Sequence, residues 1–333
     1  MDKVRFLIIR FSSIGDIVLT TPVVRNLKKQ VANAEIHYLT KKQFAPLVHN
    51  NPNIDFVHEF DGNFATLEQK LTTIEFDYII DLHKNLRSGR VKRALGKISF
   101  AFNKLNLKKW LFVNLKINKL PNIHIVDRYM ETLRVFDVKN DMEGLDYFFA
   151  QDAKLPELPE LYSNGYAVAV IGANHATKQI PENILGDIIN KSNIPTILVG
   201  GKSELELSQQ IEALCKTPVL NLCGKNTLDE SALIIKNSKV VITPDTGMMH
   251  IAAAFNKKIV SIWGNTTPEF GMYPYMPKKP SNYYIAQVEN LTCRPCSKIG
   301  FEKCPKKHFN CMNLQNTDKI VEIVKQYFNS NDQ

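Results

Sequence analysis

Hydrophobic and polar positions along the first half of the chain alternate between short apolar runs and amphipathic segments. The predicted strands are residues 4–9, 35–39, 56–60 and 78–82, and the predicted helices are residues 17–31, 41–50, 64–74 and 125–136. Short apolar runs are typical of buried strands, and segments with a helical period are typical of surface helices. This order predicts a parallel sheet with helices on both faces.

The same alternation resumes after residues 151–164, which contain two prolines and lack periodicity. The predicted strands there are residues 167–171, 196–199, 219–222, 240–243 and 259–263, and the predicted helices are residues 181–190, 203–214, 228–236 and 248–255. We therefore expect an α/β protein with two doubly wound Rossmann-like domains, residues 1–155 and 165–333. A ligand cleft is expected between them, at the carboxyl ends of the strands.

Residues 10–16 connect the first predicted strand to the first helix and contain Ser12, Ser13, Gly15 and Asp16. Loops in this position hold ligands in doubly wound folds, so these residues are site candidates. An equally good interpretation is structural, with Asp16 capping the helix and Gly15 forming the turn.

Two loops of the second half are candidate anion sites. Residues 243–247 precede a helix beginning near Met248, and a helix start offers unpaired N–H groups and a positive dipole end. Residues 171–178 follow a strand and contain Thr177 and Lys178, which suit a diphosphate. The alternatives are an ordinary helix cap and an exposed loop lysine. Ser203 or Glu204 follows the next strand, where a ribose hydroxyl is often bound.

The 333-residue chain is long enough for two domains and carries a net charge of +9. No acidic residue occurs between Asp81 and Asp127, a stretch that contains Lys84, Arg87 and Arg90. Such a segment favours phosphates, acidic sugars or an anionic membrane. A solvated basic face without a partner is the alternative. No nucleic-acid-binding motif accompanies the charge, so no nucleic acid is expected.

Several classes lose support because their motifs are absent from the sequence. There is no G-x-G-x-x-G, no G-x-x-x-x-G-K-[ST], no H-E-x-x-H and no G-x-S-x-G. The apolar run at residues 4–9 is too short for a signal peptide, and no stretch reaches the roughly 20 apolar residues of a membrane span. We expect a cytoplasmic protein that touches a membrane surface at most peripherally.

Four of the six cysteines lie close together near the end of the chain, at Cys293, Cys296, Cys304 and Cys311. Four thiols in a loop of a cytoplasmic protein indicate structural zinc more than disulfides. The spacing is tighter than in usual zinc ribbons, so reduced loop cysteines are the other interpretation.

Residues 10–22 and 245–254 together resemble the two signature segments of the lipopolysaccharide heptosyltransferases, glycosyltransferase family 9. The resemblance implies a GT-B fold and an inverting transfer without an obligatory metal cofactor. It further implies an ADP-heptose donor in the C-terminal domain and a lipid A/Kdo core acceptor in the N-terminal domain, on the cytoplasmic face of the inner membrane.

The resemblance also assigns roles to individual residues. Asp16 matches the family's catalytic aspartate, which acts as the general base. The implied donor-binding residues are Thr177, Lys178, Glu204, Asp245, Thr246, Gly247 and His250. From their charge rather than from the resemblance, Lys84, Arg87 and Arg90 are expected to bind the anionic acceptor, and Ser12, Ser13 and Gly15 are expected to shape the acceptor-side loop that presents Asp16. Alternative functions are a transferase of the same family with another nucleotide sugar or acceptor, and a non-catalytic basic binding protein with a zinc loop.

Overall fold

The computed structural model describes residues 3–330 and divides into two compact units. The first unit contains the chain up to Leu105 together with the segment Ile123–Ala150. The second contains Asn106–Asn122 and the chain from Gln151 onward. The chain thus enters the second unit once, for a short segment, before the linker region predicted from sequence.

The first unit is a five-stranded parallel sheet with flanking helices. Its strands are β1 (Val4–Ile9), β2 (Ala34–Lys41), β3 (Phe56–Phe60), β4 (Tyr78–Asp81) and β5 (Ile98–Ala101). The helices of this part of the chain are α1 (Ile14–Val18), α2 (Thr21–Gln30), α3 (Pro46–His49), α4 (Phe64–Thr72), α5 (Leu86–Leu95), α6 (Asn106–Leu115, in the second unit) and α7 (Ile125–Met130).

Strand β1 occupies the centre of this sheet, whose order is β3-β2-β1-β4-β5. Its residues Leu7, Ile8 and Ile9 are completely buried, since the strand is paired on both edges and covered on both faces. The loop that follows β1 therefore emerges at the middle of the carboxyl edge of the sheet, between the ends of β2 and β4.

The second unit contains a six-stranded parallel sheet of order β11-β10-β9-β6-β7-β8. Its strands are β6 (Ala167–Val170), β7 (Thr196–Val199), β8 (Val219–Asn221), β9 (Val240–Pro244), β10 (Lys258–Trp263) and β11 (Tyr283–Gln287). Its other helices are α8 (Glu182–Ser192), α9 (Leu205–Leu214), α10 (Leu228–Asn237), α11 (Gly247–Ala254), α12 (Asn310–Asn313) and α13 (Thr317–Asn329).

Short 3₁₀ helices occur in both units. They span Lys42–Phe44, Glu131–Phe136, Glu160–Tyr162, Ala176–Lys178, Lys202–Glu204, Pro268–Phe270 and Pro280–Asn282. The turn Ala176–Lys178 follows β6 and carries two of the predicted donor-binding residues.

The prediction of two doubly wound units is confirmed, and the elements differ from prediction in three ways. The single helix predicted at residues 17–31 is two helices, because Pro22 suits the first turn of α2 but cannot continue α1. The helix predicted at residues 41–50 is a 3₁₀ turn followed by α3, which begins at Pro46. Strands β5 and β11 and helices α5, α6, α12 and α13 were not predicted.

Within residues 3–330, no helix is long and apolar enough to cross a lipid bilayer.

Candidate active site

Asp16 lies in the first turn of α1, directly after the loop that follows β1. Its Oδ2 atom accepts hydrogen bonds from the Ser13 backbone N–H at 3.3 Å and from the Ser13 hydroxyl at 3.1 Å. Its Oδ1 atom lies 2.6 Å from Arg10 Nη2, and the side chain remains 24% exposed. The contacts with Ser13 are those of a helix cap, while the exposed fraction leaves the carboxylate accessible to a second molecule.

Arg10 fixes the loop around Asp16 from the buried side. Its Nε donates to the Ser12 carbonyl at 2.7 Å, and its Nη1 donates to the Leu82 carbonyl at 2.5 Å and to the Tyr129 hydroxyl at 3.0 Å. Burial opposes the charge on Arg10, but the Asp16 carboxylate together with Tyr129 and Tyr38 outweighs this effect, and the pKa of Arg10 is raised. The guanidinium is therefore a permanent positive charge beside Asp16.

His83 and Lys104 bring further titratable groups near Asp16, from the ends of β4 and β5. Burial, followed by the charges of Arg10 and Lys104, lowers the pKa of His83 to about 4. Burial and then Arg10 also lower the pKa of Lys104 from its ordinary value. Sequence analysis missed both residues, because the order of the strands that brings them to Asp16 is not visible in a linear pattern.

Asp81 shapes the loop that carries the predicted acceptor residues. It is completely buried, and its Oδ1 accepts the backbone N–H groups of His83 at 3.1 Å and Lys84 at 2.6 Å. Its Oδ2 accepts the Ser88 hydroxyl at 2.8 Å and lies 2.9 Å from Lys92 Nζ. A fully buried carboxylate needs this number of partners, so the loop after β4 is held in one conformation.

The three predicted basic acceptor residues are in different surroundings. Lys84 and Arg87 are exposed. Arg90 is bound through two nitrogens to Glu68, at 2.6 and 3.2 Å, and its guanidinium lies 4.5 Å from the centre of the Phe64 ring. Arg90 is thus already paired within the first unit, whereas Lys84 and Arg87 present their charges to solvent. Gly15, in contrast, is buried within α1.

In the second unit, Lys178 and Asp245 come together although they are far apart in sequence. Lys178 Nζ lies 2.7 Å from Asp245 Oδ2, and the Thr266 hydroxyl donates to the same oxygen at 2.9 Å. Asp245 follows β9, Thr266 follows β10, and these strands are hydrogen-bonded neighbours. Sequence analysis missed Thr266; its position three residues after the end of a predicted strand is the only sequence signal for it.

Helix α11 starts beside this pair. Thr246 is its N-cap residue and Gly247 its first residue, and both are half-buried. The first backbone N–H groups of a helix lack intrahelical acceptors and suit an anion. His250 is buried inside the first turns of α11, with 2% of its surface exposed. The helix start therefore provides the backbone donors expected at residues 246 and 247.

Thr177 and Glu204 make internal contacts. The Thr177 hydroxyl donates to the Phe301 carbonyl at 3.0 Å and accepts from the Phe301 N–H at 2.8 Å. The Glu204 carboxylate accepts the Gly201 N–H at 2.7 Å and the Ser203 hydroxyl at 2.7 Å. Both side chains thus organise the loops after β6 and β7, and their direct contact with a donor stays a prediction.

The family model for glycosyltransferase family 9 (heptosyltransferase) matches residues 64–302, well over half of the chain. The chain belongs to glycosyltransferase family 9. It is therefore a glycosyltransferase of the heptosyltransferase type, and the alternative of a non-catalytic binding protein is wrong. The matched range begins after Asp16, so the assignment of the family is independent of the first signature segment.

Similarity to individual relatives and to solved structures agrees with membership of family 9. Lipopolysaccharide heptosyltransferase 1 of Campylobacter coli is 26% identical, over 96% of this chain and 98% of the relative. A family 9 glycosyltransferase from Veillonella parvula has a TM-score of 0.77 at 19% identity, covering 98% of each chain. The E. coli heptosyltransferase WaaC, solved with ADP-2-deoxy-2-fluoro heptose, has a TM-score of 0.68 at 18% identity, covering 97% of this chain and 99% of WaaC. These similarities confirm the GT-B fold.

The cysteine-rich segment of this family 9 enzyme contains free thiols only. Cys293, Cys296 and Cys304 are half-buried, and Cys311 is buried. In the part of the chain that the structure describes, no group of three or more His, Cys, Asp or Glu side chains is arranged to hold a metal ion. The geometry therefore gives no support to the zinc prediction at these four cysteines. Burial raises the pKa of Cys296 to about 11 and that of Cys311 to about 12.

Proposed function

We propose that this heptosyltransferase moves a heptose from ADP-heptose to the inner core of lipopolysaccharide, with Asp16 as the general base. The observation that carries the proposal is the Asp16 carboxylate, oriented by Arg10 and Ser13 and still partly exposed. Asp16 accepts the proton of the acceptor hydroxyl as its oxygen attacks the anomeric carbon. Attack from the side opposite to the departing ADP inverts the configuration at that carbon.

The donor site of the proposal is the start of α11 with Lys178. Departure of ADP places negative charge on the diphosphate, and preorganised positive groups stabilise that charge most effectively. The backbone N–H groups at Thr246 and Gly247 and the ammonium of Lys178 meet this requirement without a metal cofactor. Because Lys178 also neutralises Asp245, the aspartate does not repel the diphosphate. The structure of WaaC with an ADP-heptose analogue supports the choice of nucleotide.

The acceptor of the proposal is an anionic lipid A/Kdo core, bound by the exposed charges of Lys84 and Arg87. A sugar core bearing carboxylates and phosphates is complementary to the acid-free segment between Asp81 and Asp127. We also place the enzyme at the cytoplasmic face of the inner membrane, where such a lipid-linked acceptor is presented. Exposed apolar residues of α6, including Leu107 at 71% and Trp110 at 48% exposure, supply anchors among the lysines.

The substitution Asp16→Asn tests the general base. It keeps the shape of the side chain but removes the proton acceptor, so we expect kcat to fall by about a thousandfold. ADP-heptose binding, measured by calorimetry, should remain within about twofold, since the donor residues lie in the second unit. Asp137→Asn is the matched control, because Asp137 is exposed and its left-handed backbone also suits asparagine. Retention of most of the transfer rate by Asp16→Asn would exclude Asp16 as the base.

A further inference from the structure

The proposed function leaves the cysteine-rich segment, residues 293–311, without a role. The segment is irregular until α12 begins at Asn310. Its backbone and its single arginine, Arg294, nevertheless contact the turn that carries Lys178 and the loop after β10 that carries Thr266, whose hydroxyl binds Asp245. These contacts are distributed over its first part, residues 294–301.

The first contact joins the segment to the turn Ala176–Lys178. The Thr177 backbone N–H donates to the Phe301 carbonyl at 3.1 Å, in addition to the two hydrogen bonds of the Thr177 hydroxyl. Gly300 permits the approach, because a Cβ atom there would lie 2.5 Å from Cβ of His175 and its φ is +127°. The residue before Lys178 is therefore held by both its main chain and its side chain.

The second contact joins the segment to the loop after β10. Arg294 Nη2 donates to the Thr266 carbonyl at 2.9 Å, and the Cys296 N–H donates to the Asn265 carbonyl at 3.0 Å. Arg294 also donates to the Val288 carbonyl and the Gln287 side chain, each at 3.0 Å. Within residues 3–330 no carboxylate forms an ion pair with Arg294, so its guanidinium donates to these neutral oxygen atoms instead. Burial lowers the pKa of Arg294.

The two contacts converge on one oxygen atom. Thr266, whose carbonyl is held by Arg294, donates its hydroxyl to Asp245 Oδ2, and Lys178, next to Thr177, binds the same oxygen. Gly264 completes the packing, because a Cβ atom there would lie 2.9 Å from the Thr177 carbonyl oxygen. Displacement of the segment would therefore release both groups that bind Asp245 Oδ2, the Lys178 ammonium and the Thr266 hydroxyl.

We propose that residues 294–301 are the support of the donor site, with Thr177 and Arg294 as positioning residues for Lys178 and Asp245. The inference rests on the proposed function for the place where the nucleotide binds. We call the segment docked when residues 294–301 make both contacts. Since the docked segment holds the donor site in place, ADP binds this arrangement more tightly, and ADP binding must stabilise docking by the same factor. Docking of the segment and binding of the nucleotide are thus thermodynamically coupled.

Thiol labelling measures this coupling in the intact protein. Cys293, Cys296 and Cys304 report on the segment, and Cys215, a half-buried free cysteine outside it, is the internal control. With saturating ADP, we expect alkylation of the three segment thiols, followed by peptide mass spectrometry, to slow by about tenfold, while Cys215 is unaffected. Equal rates with and without ADP, in a protein that binds ADP, would overturn the coupling.

The pair Thr177→Val and Thr177→Ser tests the first contact. Valine removes both hydroxyl hydrogen bonds at constant shape, so segment labelling should accelerate and the ADP dissociation constant should rise, each by about tenfold. The KM for acceptor should stay constant, and serine should restore ADP binding to within about threefold. Arg294→Gln, which breaks the second contact, should act in the same direction and serves if Thr177→Val does not fold.

The outcomes separate the inference from the proposed function. Faster labelling of Thr177→Val with unchanged ADP affinity would show that the segment is only a structural element, and would overturn the inference. Absence of ADP binding by the unmodified protein would instead overturn the proposed donor site, and the coupling with it.

Discussion

Both carboxylate oxygens of Asp16 are bound, one by Arg10 and the other by Ser13, and the residue serves as helix cap and candidate base through the same contacts. The two interpretations of the loop are therefore compatible, because a cap fixes the orientation that proton transfer requires. His83, with a pKa lowered to about 4, is neutral beside this pair at neutral pH. The permanent positive charge nearest to Asp16 is thus Arg10.

A second pair of residues predicts how stability depends on pH. His37 and His58 are buried on β2 and β3, with His37 Nδ1 2.9 Å from His58 Nε2. Burial, followed by the charge of His37, lowers the pKa of His58 from 6.5 to about 4. Burial also lowers the pKa of His37. Between pH 6.5 and about pH 4 the unfolded chain binds more protons than the folded chain, so protonation favours unfolding.

We therefore expect the contribution of this histidine pair to the free energy of unfolding of the first unit to decrease as pH falls from about 6.5 to about 4, and to level off below that. His58 alone accounts for at most about 3 kcal/mol. Urea titrations at several pH values, followed by circular dichroism, measure the slope, and His58→Leu should reduce it. Val91→Ala, which trims an apolar side chain in the core of the same unit, should lower stability equally at every pH. An unchanged slope in His58→Leu would contradict this assignment.

At the scale of elements, α6 combines features that a buried helix lacks. Its side chains Phe112 and Lys109 contact the ring of Phe270 in the second unit, while Leu107, Trp110 and Leu115 are exposed. Apolar side chains alternating with lysines are typical of helices that lie at a membrane interface. Helix α6 was not predicted, and only the structure shows which of its apolar residues are exposed.

The double substitution Leu107→Ser/Trp110→Ser should weaken binding to vesicles containing anionic lipid by at least about tenfold, because it removes both apolar anchors. Sedimentation with vesicles measures the binding. Leu161→Ser/Leu214→Ser, at exposed leucines elsewhere, is the matched control. Attraction through the lysines should persist at low salt and disappear at high salt. Equal losses in both double variants would show that α6 has no particular role at the membrane.

At the scale of the whole molecule, the candidate groups are distributed between two separately packed sheets. Asp16 follows the central strand of the first, while Lys178, Asp245 and Thr266 follow strands of the second. Each unit has its own apolar core, one formed around Leu7, Ile9 and Ile79 and the other around Ile242 and Val260. The proposed donor contacts and the candidate base therefore lie in different units.

Hydrogen exchange with and without ADP tests this division. We expect ADP to protect backbone amides in residues 176–178, 245–250 and 264–267, since these carry the proposed donor contacts. Peptides covering residues 10–16 should exchange at the same rate in both samples. Lys178→Met should diminish the protection, and Lys216→Met, at an exposed lysine, should not. Protection centred on residues 10–16 would contradict the placement of the nucleotide in the second unit.

The sequence by itself determined the doubly wound architecture, because buried parallel strands are continuous apolar runs and their helices keep a regular period. It also indicated Asp16 and the start of α11 as candidate site residues, since residues that follow such runs lie at the carboxyl edge of a sheet. Only the tertiary structure decided which loops lie next to one another within each unit. Strand order places His83 and Lys104 near Asp16. It also places Thr266 beside Asp245. The packing of the second unit brings the cysteine-rich segment into contact with Thr177. Contacts between residues remote in sequence leave no periodic signal in the chain.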